Sequence, residues 1–544
     1  MFYFVPSWYK EGGWTAPEPS WYQGSKQLRF DDTTSQARLF SRADQDVSLL
    51  VLDYKPHMRD LLHRGGLFGV SYWSFFDRIQ NVFQTDTHPI DYRDLAWPEG
   101  TELVYNPFVT QARRDGQVFA IVYTTESGNL LSVDWFDEGI LDRSYYFDDR
   151  GFLSSIAYYD PVGGLSHKEF LNMYGIWQVR EQVQSGIIEV NPVADAPFKK
   201  QVYANWEEVM REFLSLFEKE MVTSGDVLVV ASDPRHNHFF EGAFVQSKKV
   251  YSFFDDRHRI HESDDVQGVG RLLQDADLVV VDTQQQEEAI RPLLPEAIRQ
   301  KVLRVTPFDT RLHLGTSQTV SELVVFFCVD SVSREIVYEL LPTFIDMMVD
   351  KEEMAVKLIS FDPYYDVAGI EDFVMDYIEE HDIADKILTE KKKDGENQVG
   401  PPELELVRLK AYAVTLESDI IQHMDTARLV VDLGEEPNLY VQIAAISAGI
   451  PQINRVETEY VDNGKNGLVI EGLQTLPQAI HYYFEGLSHW NDALVYAVNK
   501  MTDYTSNAIL DTWLRHLKET RHESITNRTQ QLEHLPRKRK RRRR

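Results

Sequence analysis

Short, continuous apolar runs alternate with amphipathic stretches at both ends of the chain, whereas a long segment of its first half alternates apolar and polar positions with period two. The first pattern predicts strands covered by helices on both faces; the second predicts antiparallel strands with one face open. FYFVP at Phe2–Pro6 reads as a buried strand, a polar helix follows near Thr33–Ala43, and VSLLVLDY at Val47–Tyr54 completes a beta-alpha-beta unit. From about Leu103 to Val190, the turn signals Asp115-Gly116, Ser127-Gly128-Asn129, Arg150-Gly151 and Gly163-Gly164 separate short strands rich in Tyr, Phe and Trp. That is the pattern of an antiparallel meander, whose open face either binds something or packs on its parent domain. Helical periodicity returns with Trp206, Val209, Met210, Phe213, Leu214 and Phe217 in one stripe. Strands at Asp226–Asp233, Lys249–Asp256, Leu278–Asp282 and Val302–Pro307 then resume the parallel sheet, so the meander is an insertion.

A second alternation of strands and helices starts at Leu323–Asp330. It runs through the helix REIVYELLPTFIDMMV, the strand VKLISFD, the helix EDFVMDYIEEH and the strand ADKILTE. A polar loop at Lys391–Glu403 and a helix over ELVRLKAYAVTLES follow. The next stretch, Arg428–Ile470, organises the rest. Leu429–Leu433 reads as a strand, Pro437 suits the first turn of a helix, Val441, Ala444, Ala445 and Ala448 share one helical face, and Gly449 supplies a left-handed cap before Pro451. Such a strand–loop–helix unit aims backbone N–H groups and a positive dipole end at the loop, where phosphate binds. Further helices carry Trp490, Leu494, Val498 and Met501, then Trp513, Leu514 and Leu517.

The predicted fold class is α/β, with two facing Rossmann-like domains and a cleft between them. Residues 1–100 and 196–315 form the two parts of the first domain, and 101–195 the inserted meander. Residues 316–490 form the second domain, 491–535 the C-terminal helices and 536–544 a basic tail.

Composition sharpens this picture. One cysteine, Cys328 inside LVVFFCV, excludes an internal disulfide and reads as a buried thiol. Net charge is −30, and because Arg537–Arg544 are all basic, the rest carries −38. A body that acidic repels nucleic acid. For the tail, a solvated terminus and a contact with anionic lipid or an acidic partner both stay open. No apolar run approaches about 18 residues, so a cytoplasmic protein is expected, with a peripheral role at the inner face of the membrane left open.

Other constellations are weaker. The aromatic loop with Trp8, Tyr9, Trp14, Trp21 and Tyr22 reads as a segment folded back on the core rather than a sugar site. His236, His238, His258 and His261 follow successive strands but match no zinc spacing, and are expected to be polar loop residues; no metal site is expected. Gly268–Leu273 lacks the preceding strand of a dinucleotide fingerprint.

Within Arg428–Ile470, Gly449-Ile450-Pro451 and the run Asp462-Asn463-Gly464-Lys465-Asn466-Gly467-Leu468-Val469 resemble the C-terminal half of retaining glycosyltransferases with two facing Rossmann-like domains, the GT-B arrangement. The chemical positions of that pattern depart. Glu436 matches the family's first Glu, but the second falls on Ala444, and Pro437-Asn438-Leu439 replaces the Gly-rich turn that lets a donor approach. Val329-Asp330 stands where the family's Gly-Arg would neutralise a diphosphate, with Arg334 a loose stand-in for its Lys. The pocket at Glu436, Pro437, Asn438, Leu439 and Ala444 is thus expected to be degenerate: no catalytic residue and no cofactor.

MFYFVPSWY, GFLSSIAYYD and EFLNMYGIWQ in the meander, and the degenerate loop together resemble the accessory secretory protein one family of Gram-positive bacteria, over essentially the whole chain. The resemblance implies a non-enzymatic relative of adhesin glycosyltransferases. It also implies a complex with accessory secretory proteins two and three, association with the accessory Sec motor ATPase, and export of serine-rich repeat glycoprotein adhesins. It likens the meander to the insert with which related transferases hold their protein acceptor. The alternative is an active retaining glycosyltransferase working through Glu436 on a Ser/Thr-rich adhesin.

Overall fold

The computed structural model describes residues 1–518 apart from 11, 18, 20–29, 126, 259–265, 295, 312 and 391–403. The basic tail, Trp21, Tyr22, His261 and the polar loop therefore lie outside the described residues. The chain divides into two compact units, one built on the N-terminal residues, Asp31–Val305 and the residues from Trp513, the other on Thr306–Thr512 with Phe30.

In the first unit, Phe2–Val5 is an inner strand of a parallel sheet of seven described strands, flanked by Val47–Val51 and Ser71–Ser74 on one side and by Val227–Ala231, Lys248–Phe253, Leu278–Val281 and Val302–Arg304 on the other. Its central strands are buried along their whole length, as apolar runs between two helix layers must be. The antiparallel sheet enters after Ser71–Ser74 and leaves before helix Trp206–Met221, with ten described strands from Glu102–Tyr105 to Val202–Tyr203. Asp115 and Gly116 both take positive φ, the geometry of a tight hairpin turn. The pairing continues beyond Val190 through Val202–Tyr203, further than the turn signals suggested.

The open-face question is answered in two halves. At the inner end Phe170, Val179, Ile188 and Val190 join Trp206, Met210 and Phe213 in the core of the first sheet. At the outer end Ala120, Val122, Val133 and Phe147 pack under Ile90, Tyr92, Leu95 and Trp97. Between them lies a buried ionic clamp. Arg150 bonds Asp148 through Nε at 2.7 Å and Asp77 through its terminal nitrogens at 2.9 and 2.7 Å. Arg59 reaches Asp148 at 3.1 Å and the Pro56 carbonyl at 3.0 Å. Gly151 must be glycine, because its φ is +90° and a Cβ would lie 2.2 Å from the His88 carbonyl oxygen.

The second unit holds a parallel sheet of six described strands, ordered Leu409–Ala413, Met354–Ser360, Leu323–Cys328, Ala427–Asp432, Gln452–Asn454 and Gly467–Val469. The helix expected over ELVRLKAYAVTLES is absent. Residues Leu404–Leu406 and Leu409–Ala413 are strands there, and the helix begins only at Glu417. Leu409 and Ala411 alternate into the core with period two while Lys410 points out, and pairing with Met354–Ser360 outweighs the helical propensity of Leu, Lys and Ala. ADKILTE likewise splits into a short helix, Ala384–Ile387, and strand Leu388–Glu390.

Truncating Arg150 takes the paired arginine from Asp77 and leaves the buried Asp148 carboxylate with Arg59 alone of its two arginines. Arg150→Ala is expected to lower unfolding free energy by about 3–5 kcal/mol in urea titration, and a loss below about 1 kcal/mol would show that the clamp does not hold the meander.

Candidate functional site

In an open parallel sheet the ligand crevice lies at the carboxyl ends of the strands where the strand order reverses. In the second sheet this falls between Leu323–Cys328 and Ala427–Asp432, whose onward loops begin with Asp330-Ser331 and Leu433-Gly434. The crevice is filled by the chain itself. Asp432, almost wholly buried, accepts the Asn438 N–H at 2.7 Å and the Gly434 N–H at 3.2 Å. Ser331 donates its hydroxyl to the same carboxylate. A Cβ on Gly434 would lie 2.5 Å from Ser331 Cβ and 2.6 Å from its carbonyl oxygen, so the two loops touch.

Burial pushes the Asp432 carboxyl up, and the hydrogen bonds from Ser331, Asn438 and Gly434 offset part of that push. Asp330 is raised for the same reason, opposed by the N–H of Phe361 and the hydroxyl of Ser360, both at 2.5 Å. Two carboxyl groups thus face a loop where a diphosphate would need cations. Cys328, buried beneath them, has its thiol pushed far up by burial and is no nucleophile.

The residues singled out by sequence span this loop and the first turns of the helix that follows. Glu436 is exposed, and Pro437 lies one residue before the helix cap rather than in the first turn, its carbonyl accepting from Gln442 Nε2 at 3.2 Å. Asn438 is the cap, taking the Val441 N–H on Oδ1 at 3.1 Å; Leu439 opens helix Leu439–Ala448, and Ala444 is half-buried one turn on. Gly449 ends the helix in the left-handed conformation, with φ 70°. The run that carried the resemblance is structural. Asn466 is fully buried, accepts the Asp462 N–H at 2.8 Å and donates to the Tyr460 carbonyl at 2.8 Å, while Lys500 holds the Asp462 carboxylate at 2.7 Å. Sequence reasoning missed Asp432, which closed an apolar strand; its signal was an Asp two residues before a loop Gly, where a carboxylate captures backbone N–H groups.

The first sheet reverses between Phe2–Val5 and Val227–Ala231, and that crevice is also filled from within. Ser7 donates to Asp233 at 2.5 Å, and Arg235 grips the same carboxylate at 2.8 Å. Burial works to raise Asp233, but these bonds outweigh it and hold the carboxyl at about 2. His236, expected to be a polar loop residue, is fully buried: its Nε2 donates to the Ala231 carbonyl, leaving Nδ1 to accept from Tyr9. Burial lowers it to about 3, so it is neutral at pH 7. His258 is buried too, its Nδ1 2.8 Å from the Ser232 hydroxyl, because apolar strands on either side draw these loops under the sheet edge. Of the three described, His238 is the half-buried one, near Glu207. Trp8 and Tyr9 fold back onto this edge, Trp8 donating to Asp31 at 2.9 Å. Among the described residues no three His, Cys, Asp or Glu side chains gather as metal ligands, and no helix is long and apolar enough to cross a membrane.

At the same edge Asp282 is buried, with Oδ2 accepting the Asp255 N–H at 3.0 Å and Oδ1 without a hydrogen-bond partner among the described residues. Burial raises its carboxyl to about 7. Between the ordinary carboxylate value and pH 7 the unfolded chain releases this proton and the folded chain keeps it, so stability falls as pH rises through that window and then levels. Asp282→Asn is expected to be more stable than the parent at pH 8, by on the order of 4 kcal/mol, with the gain vanishing near pH 4 in paired denaturation curves.

Comparison with known proteins places this geometry. The family model of accessory secretory protein 1 of the accessory Sec system matches residues 1–520. The curated relative of that description from Streptococcus gordonii is 33% identical over 536 residues, 95% of this chain and 99% of its own. The crystal structure of accessory secretory proteins 1, 2 and 3 from Streptococcus pneumoniae contains a chain 31% identical, with TM-score 0.80 over 96% of this chain and 100% of that one. The pneumococcal O-GlcNAc transferase GtfA, solved with UDP and GlcNAc, is 13% identical with TM-score 0.66 over 96% of this chain and 99% of its own, a likeness of fold.

Proposed function

The chain belongs to the accessory secretory protein 1 family of the accessory Sec system, and we propose that it acts there as a non-enzymatic subunit that binds partners rather than sugar nucleotides. The observation that carries this reading is Asp432. The loop N–H groups that would bind a donor phosphate are already committed to an internal carboxylate. Each charge-assisted contact forgone costs a ligand about 1.5–3 kcal/mol, so two or three weaken a micromolar donor by about two decades or more. Ala444 offers no hydrogen bond to a ribose, and Asp330 stands where a cation would be needed.

Accessory secretory proteins 2 and 3 are the first expected partners, since the pneumococcal relative was solved with them. The accessory Sec motor ATPase and a serine-rich repeat adhesin are the further partners that membership in this system suggests. The meander supports that role: both its ends rest on packed cores, while Tyr105, Phe108 and Tyr174 stand largely exposed. A peripheral position at the inner face of the membrane, through Arg537–Arg544, completes the reading; unchanged binding to anionic vesicles after deletion of those residues would remove it.

Isothermal titration with UDP-GlcNAc and UDP-glucose is expected to show no binding, and Glu436→Ala to leave co-purification of proteins 2 and 3 intact. Micromolar binding with sugar transfer that Glu436→Ala abolishes would establish the competing reading, an active retaining transferase.

A further inference from the structure

The chain has two Asn-Gly steps, Asn463-Gly464 and Asn466-Gly467, both in the turn that leads into the edge strand Gly467–Val469. Asparagine before glycine is the pair most open to ring closure, because glycine has no side chain to shield its backbone nitrogen from the neighbouring amide. The fold treats the two steps oppositely. Asn466 is fully buried, with Oδ1 taking the Asp462 N–H and Nδ2 donating to the Tyr460 carbonyl, both at 2.8 Å. Its glycine is walled in as well: a Cβ on Gly467 would lie 2.3 Å from the Gln452 carbonyl oxygen and 2.6 Å from Val461 Cγ1. Asn463, Gly464 and Lys465, by contrast, are exposed. Gly464 has φ +75° and open space where a Cβ would stand.

Two hydrogen bonds hold the exposed step. Asn463 Oδ1 accepts the Val469 N–H at 3.0 Å, and the Gly464 N–H donates to the Gly467 carbonyl at 2.8 Å. Asn463 and Gly464 meet water directly, so water replaces their side of these bonds at little net cost; the bonds slow ring closure without forbidding it. Asn466 has no such exchange. Swinging its amide toward Gly467 would break two buried bonds and leave the Asp462 N–H and the Tyr460 carbonyl unpaired. The packing around Gly467 also leaves no room for an attacking water.

We propose that Asn463 is a site of spontaneous deamidation in the folded chain, with water as its only co-reactant, and that Asn466 is not. The Gly464 nitrogen gives up its proton and bonds to Asn463 Cγ; the Cγ–Nδ2 bond breaks, and ammonia leaves with that proton. Water then opens the cyclic imide. Cleavage at Cγ gives aspartate, and cleavage at the main-chain carbonyl gives isoaspartate, whose backbone runs through the side-chain carbon. Either product sets a second carboxylate beside Asp462, which Tyr496 and Lys500 hold at 3.0 and 2.7 Å. Isoaspartate also re-aims the acceptor that Val469 uses at the sheet edge. Neither step depends on how the protein meets its partners. The test incubates the full chain at pH 8, folded and in urea, then maps its tryptic peptides by mass spectrometry with enzymatic labelling of isoaspartate. Cleavage after Lys465 separates the two steps. In the folded chain, conversion at Asn463 is expected to outpace that at Asn466 at least about ten-fold, and in urea the two should convert at comparable rates. Asn463→Gln should lose the folded-chain signal in this turn, because glutamine must close a larger ring. Asn463 left unmodified in a folded chain whose urea-treated counterpart is converted at both steps overturns the proposal. So does Asn466 keeping pace with Asn463 in the folded chain, or isoaspartate in this turn that persists in folded Asn463→Gln.

Discussion

An internal carboxylate can satisfy a ligand loop permanently, and Asp432 does so. The end of a central parallel strand, a glycine loop and the start of a helix create unpaired N–H groups whether or not anything binds them. Something must accept those bonds, because buried backbone donors left unpaired are expensive. A bound phosphate can accept them. Here Asp432 takes Gly434 and Asn438, while Asn438 in turn takes Val441. The tethered carboxylate is always present at its site, so a dissolved phosphate competes at a disadvantage set by effective concentration before any charge repulsion counts. The first sheet repeats the solution with Asp233, Ser7 and Arg235, so both switch points are closed by the chain's own acids.

The fold sets requirements of its own at several of these positions. Gly449 is needed because its backbone is left-handed and a Cβ would meet Leu494 Cδ1 at 2.2 Å. Gly467 is needed because a Cβ would lie 2.3 Å from the Gln452 carbonyl oxygen. Asn466 ties its own turn together from within the core. None of these requirements mentions a ligand. Glu436 and Pro437, by contrast, stand in the loop before the helix, where Glu436 is exposed.

The same distinction decides what could be read from the sequence. Both parallel sheets were legible because their apolar runs are uninterrupted, and the hairpins were legible because Asp115-Gly116 and Arg150-Gly151 announce turns. The strand Leu409–Ala413 was not, since LKAYA satisfies helical and alternating patterns alike and only the neighbouring Met354–Ser360 decides between them. His236 looked like a loop residue because its burial comes from Tyr9 and Ala231, distant in sequence or in main-chain direction. In the site, the departures at Ala444 and Pro437-Asn438-Leu439 were visible residue by residue. Asp432 was not, because its role depends on which N–H groups the loop turns toward it, and Phe30 and Tyr440 meet across 410 positions.

The meander is anchored at both of its ends. An antiparallel sheet held only at one end would pay for binding in lost motion. This one shares a core with the first parallel sheet through Phe170 and Val179, is fastened by Arg150 between Asp77 and Asp148, and is braced at its outer end by Trp97 and Tyr92. Its edge strand Glu102–Tyr105 pairs on one side with Thr110–Arg114 and presents Val104 and Tyr105, 38% and 60% exposed, at the end of the sheet order. Holding such a strand rigid lowers the entropic cost of adding another strand or a partner's flat face to it.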